Sequence, residues 1–211
     1  MSNPILHGPA FSTYTRSVRI TLAEKGVAYD LREINFMEGW PEGYERLHPF
    51  TKVPAFEHDD LILYETPAIM AYINSAFDGP ALLPEQPALR AKSIQAINVV
   101  DNYTYDPVIT RTFVQRALAP MLGGATDEKM IEDAQEECER AFAALNALLD
   151  GQDYFGGENV SLADFHVVPI MHYASQIPEG QSLIGNAPAI GPWLDRMNTR
   201  DSVSSTIPSM G

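Results

Sequence analysis

One cysteine, Cys138, stands in 211 residues, so no disulfide closes within the chain and a cross-linked scaffold is excluded. Such sparing use of cysteine fits a reducing compartment. Positive charge is scarce too: 14 Lys and Arg face 28 Asp and Glu, a formal charge of −14 at pH 7. Binding to nucleic acid or to an anionic membrane surface needs clustered Lys and Arg, so neither is expected as a partner. No stretch approaches the ~20 apolar residues of a membrane span. Met1-Ser2-Asn3-Pro4 carries neither a basic region nor the apolar run of a secretory leader. Together these absences lead to the expectation of a cytoplasmic protein. Repeats and low-complexity tracts are lacking. No pair among the five histidines has metal-ligand spacing supported by acids or cysteines, so no metal is inferred.

What is present is an ordinary globular composition, 45% hydrophobic and 20% charged, with length for two small domains or one large one. The run Pro4 to His7 predicts a first strand. Arg16 to Lys25 carries Val18, Ile20, Leu22 and Ala23 and is followed by Gly26, which predicts a helix and its stop. Val27, Tyr29 and Leu31 alternate as a strand would. Asn35 to Leu47, with Gly39, Pro41 and Gly43, reads as loop with at most a short helix. Two further strands flank Asp59-Asp60, and Glu65-Thr66-Pro67 then opens a helix, with Thr66 suited to the N-cap and Pro67 to the first helical position. This β-α-β, β-β-α order predicts an α/β thioredoxin-like fold, a mixed sheet with helices packed on it.

Proline and glycine then crowd from Asp78-Gly79-Pro80 to Pro87, marking a linker. Beyond it the pattern is helical. Ile131, Ala134, Cys138, Ala141, Phe142, Leu145, Leu148 and Leu149 recur at helical spacing until Gly151, and Asp127 and Glu128 sit at the favourable end of the helix dipole. Ser161-Leu162-Ala163-Asp164 has the pattern of a capping box. A last helix is expected from about Pro188 to Arg200. The expected organisation is a thioredoxin-like domain over 1–78, a linker over 79–87 and an all-helical bundle over 88–211.

The most informative stretch is Thr51-Lys52-Val53-Pro54, a strand pair, and Glu65-Thr66. A proline just before a strand leaves the preceding backbone free to pair with an added extended ligand, and cis geometry suits Val53-Pro54. The N–H groups at the start of the following helix form an anion site. Both features suit a small extended peptide carrying a carboxylate.

These residues resemble the soluble glutathione transferase family. In its serine-type members a serine stands six residues before a Val-Arg-type pair, as Ser12 stands before Val18-Arg19. The loop His48-Pro49-Phe50-Thr51-Lys52-Val53-Pro54 is similar to the Asn-Pro-Phe-Gly-Lys-Val-Pro loop of the phi class. The Ser-x-x-Asp cap at Ser161 also recurs in the family's helical domain. The resemblance covers nearly the whole chain and is most specific in roughly the first 75 residues.

The resemblance implies that a glutathione thiolate attacks soft hydrophobic electrophiles or reduces organic hydroperoxides, with glutathione as cosubstrate and no cofactor. A free thiol has a pKa of ~8.5, which a hydroxyl donor and a helix N-terminus lower by about a unit or more. Ser12 is the implied donor, through O–H···S; on spacing alone it serves equally as a helix cap, and Thr13 is the nearest second hydroxyl. Glu65 would meet the γ-glutamyl ammonium and Thr66 its carboxylate, where the family usually has Ser. Val53, ahead of Pro54, would pair with the cysteinyl unit. Lys52 would meet the glycine carboxylate or remain a solvated loop charge. The basic pair that phi-type enzymes place before this loop is missing, since Phe36 to Leu47 offers only Arg46.

The electrophile pocket is expected between the domains, with Phe11 and Tyr14 on one side and Tyr103, Tyr105 and a bend at Pro107 on the other. Arg16 reads as solvent-facing, His7 and His58 as structural, and Cys138 as core. His48 and His166 are the histidines with a reading toward the site. Phe50 either anchors a homodimer, as an aromatic from this loop does in related transferases, or packs under its own loop. Thiol–disulfide exchange is not expected, because Ser12 stands where disulfide-reducing members have cysteine. The alternative to an enzyme is a non-catalytic binding or assembly module, which would have lost the thiolate donor or the Glu-Thr pair; this chain keeps both.

Overall fold

The computed structural model describes residues 3–35 and 38–208; Phe36 and Met37, part of the stretch searched for a basic pair, lie outside the described residues. The chain forms two compact units. One holds the residues up to Leu82 together with those from Thr199 onward, and the other spans Leu83–Asn198.

The first unit is built on four short strands, β1 (Ile5–His7), β2 (Asp30–Arg32), β3 (Ala55–His58) and β4 (Leu61–Tyr64), in the order β2-β1-β3-β4. The β1–β2 pair is parallel and is bridged by helix α1 (Thr13–Glu24); the other pairs are antiparallel. Leu6 and Phe56 face each other across the two central strands, both fully buried. Val18, Ile20 and Leu22 of α1 and Ile69, Met70 and Ile73 of α2 (Thr66–Ala76) complete the core. The second strand is shorter than its alternation predicts. Gly26 turns left-handed at φ 67°, and the Val27 N–H closes on the Leu22 carbonyl at 2.9 Å, so Val27 ends the helix rather than starting the strand.

The chain returns to this unit at its far end. Arg200 meets Glu24 fork to fork, Nε to Oε1 at 2.9 Å and Nη2 to Oε2 at 2.8 Å, and the Ser202 hydroxyl donates to the same carboxylate. Arg16 is not solvent-facing. It is completely buried, and its Nε donates to the Thr206 carbonyl at 3.0 Å. That acceptor lies 190 residues further along the chain, out of reach of any local pattern.

In the second unit α3 (Pro87–Val99) runs on into a widened π-helical stretch, Val100–Leu118, and a closing turn α4 (Ala119–Met121). Around Pro107, where a bend is expected, the winding is wide: the hydroxyls of Thr104 and Thr112 bond the carbonyls five residues back, Val99 at 3.0 Å and Pro107 at 2.7 Å. The unit continues with α5 (Glu128–Leu149), α6 (Leu162–Ala174), α7 (Pro178–Gly185) and α8 (Ile190–Asn198). The predicted stripe of α5 is buried from Ile131 to Leu149, and its stop begins at Asp150, left-handed at φ 48°, one residue before Gly151. The helix expected over Pro188 to Arg200 is α8, and a further one follows: Arg200 is extended and caps the short α9 (Asp201–Ser204) of the first unit.

The capping box at the head of α6 is the hub of the helical unit. Asp164, fully buried, accepts from the Ser161 N–H at 2.7 Å, the Ser161 hydroxyl at 2.9 Å, the Phe155 N–H at 3.0 Å and Trp193 Nε1 at 2.8 Å. Burial pushes its pKa up, and these four donors oppose that shift. Among the described residues no helix is long and apolar enough to cross a membrane.

Candidate active site

Sheet register assembles the site. His7 pairs with Ala55, and Ala55 pairs with Tyr64. The end of β1, the start of β3 and the end of β4 therefore lie side by side. Just beyond them come the turn to α1 with Ser12, the segment Lys52-Val53-Pro54, and Glu65-Thr66 at the head of α2. Ser12 and Thr66, 54 positions apart in sequence, are thus brought to one end of the sheet. Gly8 marks the tightest point. A Cβ there would sit 2.4 Å from Thr15 Oγ1 and 3.3 Å from Val53 Cβ, and its φ of 151° is one that side-chain-bearing residues avoid. The turn after β1 is pressed against both α1 and Val53.

Ser12 is half-buried and does cap α1: its Oγ accepts the Thr15 N–H at 3.4 Å. Capping uses a lone pair and leaves the O–H to donate, so the two readings of Ser12 are compatible. Beside it the Thr13 and Thr15 hydroxyls are buried with no hydrogen-bond partner among the described residues.

At α2 the cap is shifted by one residue from the expected position. Glu65, not Thr66, is the N-cap, at φ 68° and ψ 110°, and Pro67 falls within the first turn. The Glu65 carbonyl takes the Ile69 N–H at 3.0 Å, which fixes Thr66 as the first helical residue. The positive φ of a non-glycine residue costs about 1–3 kcal/mol and is held only where the surroundings enforce it, a pattern concentrated at functional sites. It leaves the Glu65 side chain exposed while Thr66 is buried at the helix start, where N–H groups lack intrahelical acceptors.

Val53-Pro54 is cis. Lys52 is exposed, Val53 half-buried and Pro54 buried. The Lys52 carbonyl is taken by the Tyr44 hydroxyl at 2.8 Å. Tyr44 packs with Ile34, Ala55, Leu47 and Val53, and burial pushes its phenol up to about 12, so it remains a donor at neutral pH. Sequence reasoning missed this residue. Its only signal was an aromatic with a polar tip inside a Gly- and Pro-rich stretch. Among the described residues of 35–47, Arg46 is the only Lys or Arg, and its Nε folds back onto the Gly43 carbonyl at 3.4 Å.

Phe11 is 54% exposed and Tyr14 half-buried, both in the sheet unit, whereas Tyr103, 66% exposed, belongs to the helical unit. His7 bonds Glu57 at 2.6 Å and His58 bonds Tyr72 at 2.7 Å, both structural. His166 is not open to a cleft: α6 is buried on every side, and its Nε2 meets Asp101 at 2.8 Å. Cys138 is buried and burial pushes its thiol up, which leaves it unreactive. Phe50 is 67% exposed, with its ring edge-on to His48 of its own loop and to Tyr64. No group of three or more His, Cys, Asp or Glu among the described residues is arranged to hold a metal.

A thioredoxin-like sheet that presents an extended-ligand edge beside two helix starts, joined to a helical unit, is the architecture of glutathione-binding transferases, and comparison bears on that directly. Residues 6–81 match the model for the glutathione S-transferase N-terminal domain and residues 104–201 that for the C-terminal domain. The chain is 31% identical over 207 residues to a glutathione S-transferase of Hyoscyamus muticus, covering 96% of each, and 30% identical over 201 residues to glutathione S-transferase F10 of Arabidopsis thaliana, covering 92% of each. It superimposes on glutathione S-transferase I from maize, in complex with an atrazine glutathione conjugate, with a TM-score of 0.84, 27% identity and 100% coverage of both chains. The chain belongs to the glutathione S-transferase family, among its phi-like members.

Proposed function

We propose that this protein joins the glutathione thiolate to soft hydrophobic electrophiles. The observation that supports this most is the register that gathers Ser12, Val53-Pro54 and Glu65-Thr66 at one sheet end. Ser12 donates its O–H to the sulfur and stabilises the thiolate, which displaces a leaving group from the electrophile; the thiol proton leaves to solvent. Thr66 and the head of α2 take the γ-glutamyl carboxylate, a charged hydrogen bond worth ~1.5–3 kcal/mol, and Glu65 takes the ammonium. Val53 pairs its backbone with the cysteinyl unit, and Lys52 reaches the glycine carboxylate. Phe11, Tyr14 and Tyr103 are the aromatic side chains we assign to the electrophile. With an organic hydroperoxide the same thiolate attacks the peroxide oxygen, and a second glutathione releases the disulfide, giving alcohol and water. Glutathione is the cosubstrate, and the scheme calls on no metal or organic cofactor. The assembly-module reading is not favoured, since Ser12, Glu65 and Thr66 are all retained at the sheet end.

Retention on immobilised glutathione, followed by conjugation of an aryl halide, tests the proposal; a chain that neither binds the resin nor consumes thiol would overturn it. We place the protein in the cytoplasm as a homodimer, with detoxification of such electrophiles as its role. Phe50 is the proposed interface anchor, since buried aromatic anchors contribute about 2 kcal/mol or more. Sedimentation of Phe50→Ala at low micromolar concentration should show dissociation to monomers. A variant as dimeric as the wild type would remove Phe50 from that role.

A further inference from the structure

The His48 ring stands at the junction of the two halves of the candidate site. Its backbone ties down the loop: its N–H donates to the Tyr44 carbonyl at 3.0 Å, and its own carbonyl accepts from Thr51, left-handed at φ 50°, at 2.9 Å. The ring lies 5.1 Å from Tyr64 at the end of β4 and 6.2 Å from Phe50, centroid to centroid. It therefore links the loop that carries Lys52 and Val53 to the strand end that leads into Glu65 and Thr66. His48 is only 3% exposed, and its Nδ1 is buried with no hydrogen-bond partner among the described residues. A merely space-filling position would be served as well by an apolar ring, without an unsatisfied nitrogen.

Two charged groups act on this ring, Glu65 from the β4–α2 junction and Lys52 from its own loop, while the Tyr64 ring lies against it. Burial holds the imidazole below its ordinary pKa; Glu65 pulls the other way, and Lys52 adds to the lowering. The ring is thus neutral at pH 7. Protonation would set a cation beside Glu65, where it competes with the ligand's ammonium, and beside Lys52, which it repels.

We propose that His48 is a positioning residue that couples the two halves of the glutathione site and makes ligand affinity proton-linked. The inference rests on the site reading above. Bound ligand masks both charges, its ammonium that of Glu65 and its glycine carboxylate that of Lys52; Glu65 has the stronger hold on the ring, so binding expels that proton. Affinity is then full at neutral pH and declines as pH falls through the lowered pKa of His48.

Calorimetry with S-methylglutathione, whose blocked sulfur removes thiol ionisation, tests this between about pH 7.5 and about pH 5.5. Wild-type affinity should fall by up to about tenfold, the size of a one-unit pKa difference between free and bound protein. His48→Phe keeps a ring against Tyr64 and should flatten that dependence. His48→Ala should bind several-fold more weakly at neutral pH while kcat at saturating glutathione is kept. A His48→Phe profile that overlays the wild type, or undiminished binding by His48→Ala, overturns the inference. Thr66→Ala separates the two levels of argument. If Thr66→Ala weakens binding while the His48 variants do not, only the role of His48 fails; if Thr66→Ala also binds like wild type, the site itself has been misplaced and the inference falls with it.

Discussion

At the head of α6 in the helical unit polar groups close upon one another, whereas at the site end of the sheet several are left open. Around Asp164, four donors from Ser161, Phe155 and Trp193 converge on one buried carboxylate, and Ser93 extends the network by donating to the Ser161 hydroxyl at 2.8 Å. At the sheet end, Thr13, Thr15 and His48 keep unpartnered buried atoms, and Glu65 holds a strained φ of 68°. Satisfied buried networks rigidify; open ones leave bonding capacity for a ligand. The Asp164 hub is the closed side of this division, and the sheet end the open one.

That division is open to attack. The largest effect should come from Asp164→Ala, which strands buried donors at about 1–3 kcal/mol each. Urea unfolding should show a loss of roughly 4 kcal/mol, or no folded protein at all. A midpoint close to wild type would mean that the hub is not what holds the helical unit.

Ser12→Ala should do the opposite, leaving the fold but lowering turnover by ~10²-fold, the scale of losing one catalytic donor. Loss of the cap should reduce stability by only about 1 kcal/mol. The pH–rate profile should move to higher pH as bound glutathione regains an ordinary thiol pKa. A variant profile superimposed on the wild type would return Ser12 to a purely structural role.

The smallest effect concerns Glu24. Burial raises its pKa, but hydrogen bonds from Arg200 and Ser202 and the Arg200 charge outweigh burial, so the net shift is downward from 4.5. A carboxyl held low when folded contributes stability above its unfolded value and loses it as pH falls through the folded one. Acid unfolding monitored below about pH 4.5 should therefore be less steep in Glu24→Gln. Identical acid transitions would show that this ion pair carries no linkage.

Much of this was legible in sequence because it is local. The β-α-β, β-β-α order, the α5 stripe and the Ser161–Asp164 box follow from periodicity and capping chemistry that act within a few residues. The Ser12, Val53-Pro54 and Glu65-Thr66 cluster was legible as a motif, although the cap fell on Glu65, whose carbonyl rather than that of Thr66 receives the first helical N–H. What escaped depended on distant partners. Arg16 is buried by a carbonyl from the other end of the chain, Tyr44 reaches forward to Lys52, and His166 is pinned by Asp101. None of these contacts leaves a trace in spacing.

The return of the chain from Thr199 has a consequence for biosynthesis. Most of the sheet unit is translated before the helical unit, yet α9, the Arg200 fork on Glu24 and the carbonyl that receives Arg16 are made only after it. Until they arrive, a nascent chain lacks the Thr206 carbonyl that receives Arg16 Nε. The unit begun before the helical one is therefore completed after it, and a fragment cut at Leu82 should populate open, protease-sensitive states that the intact chain does not.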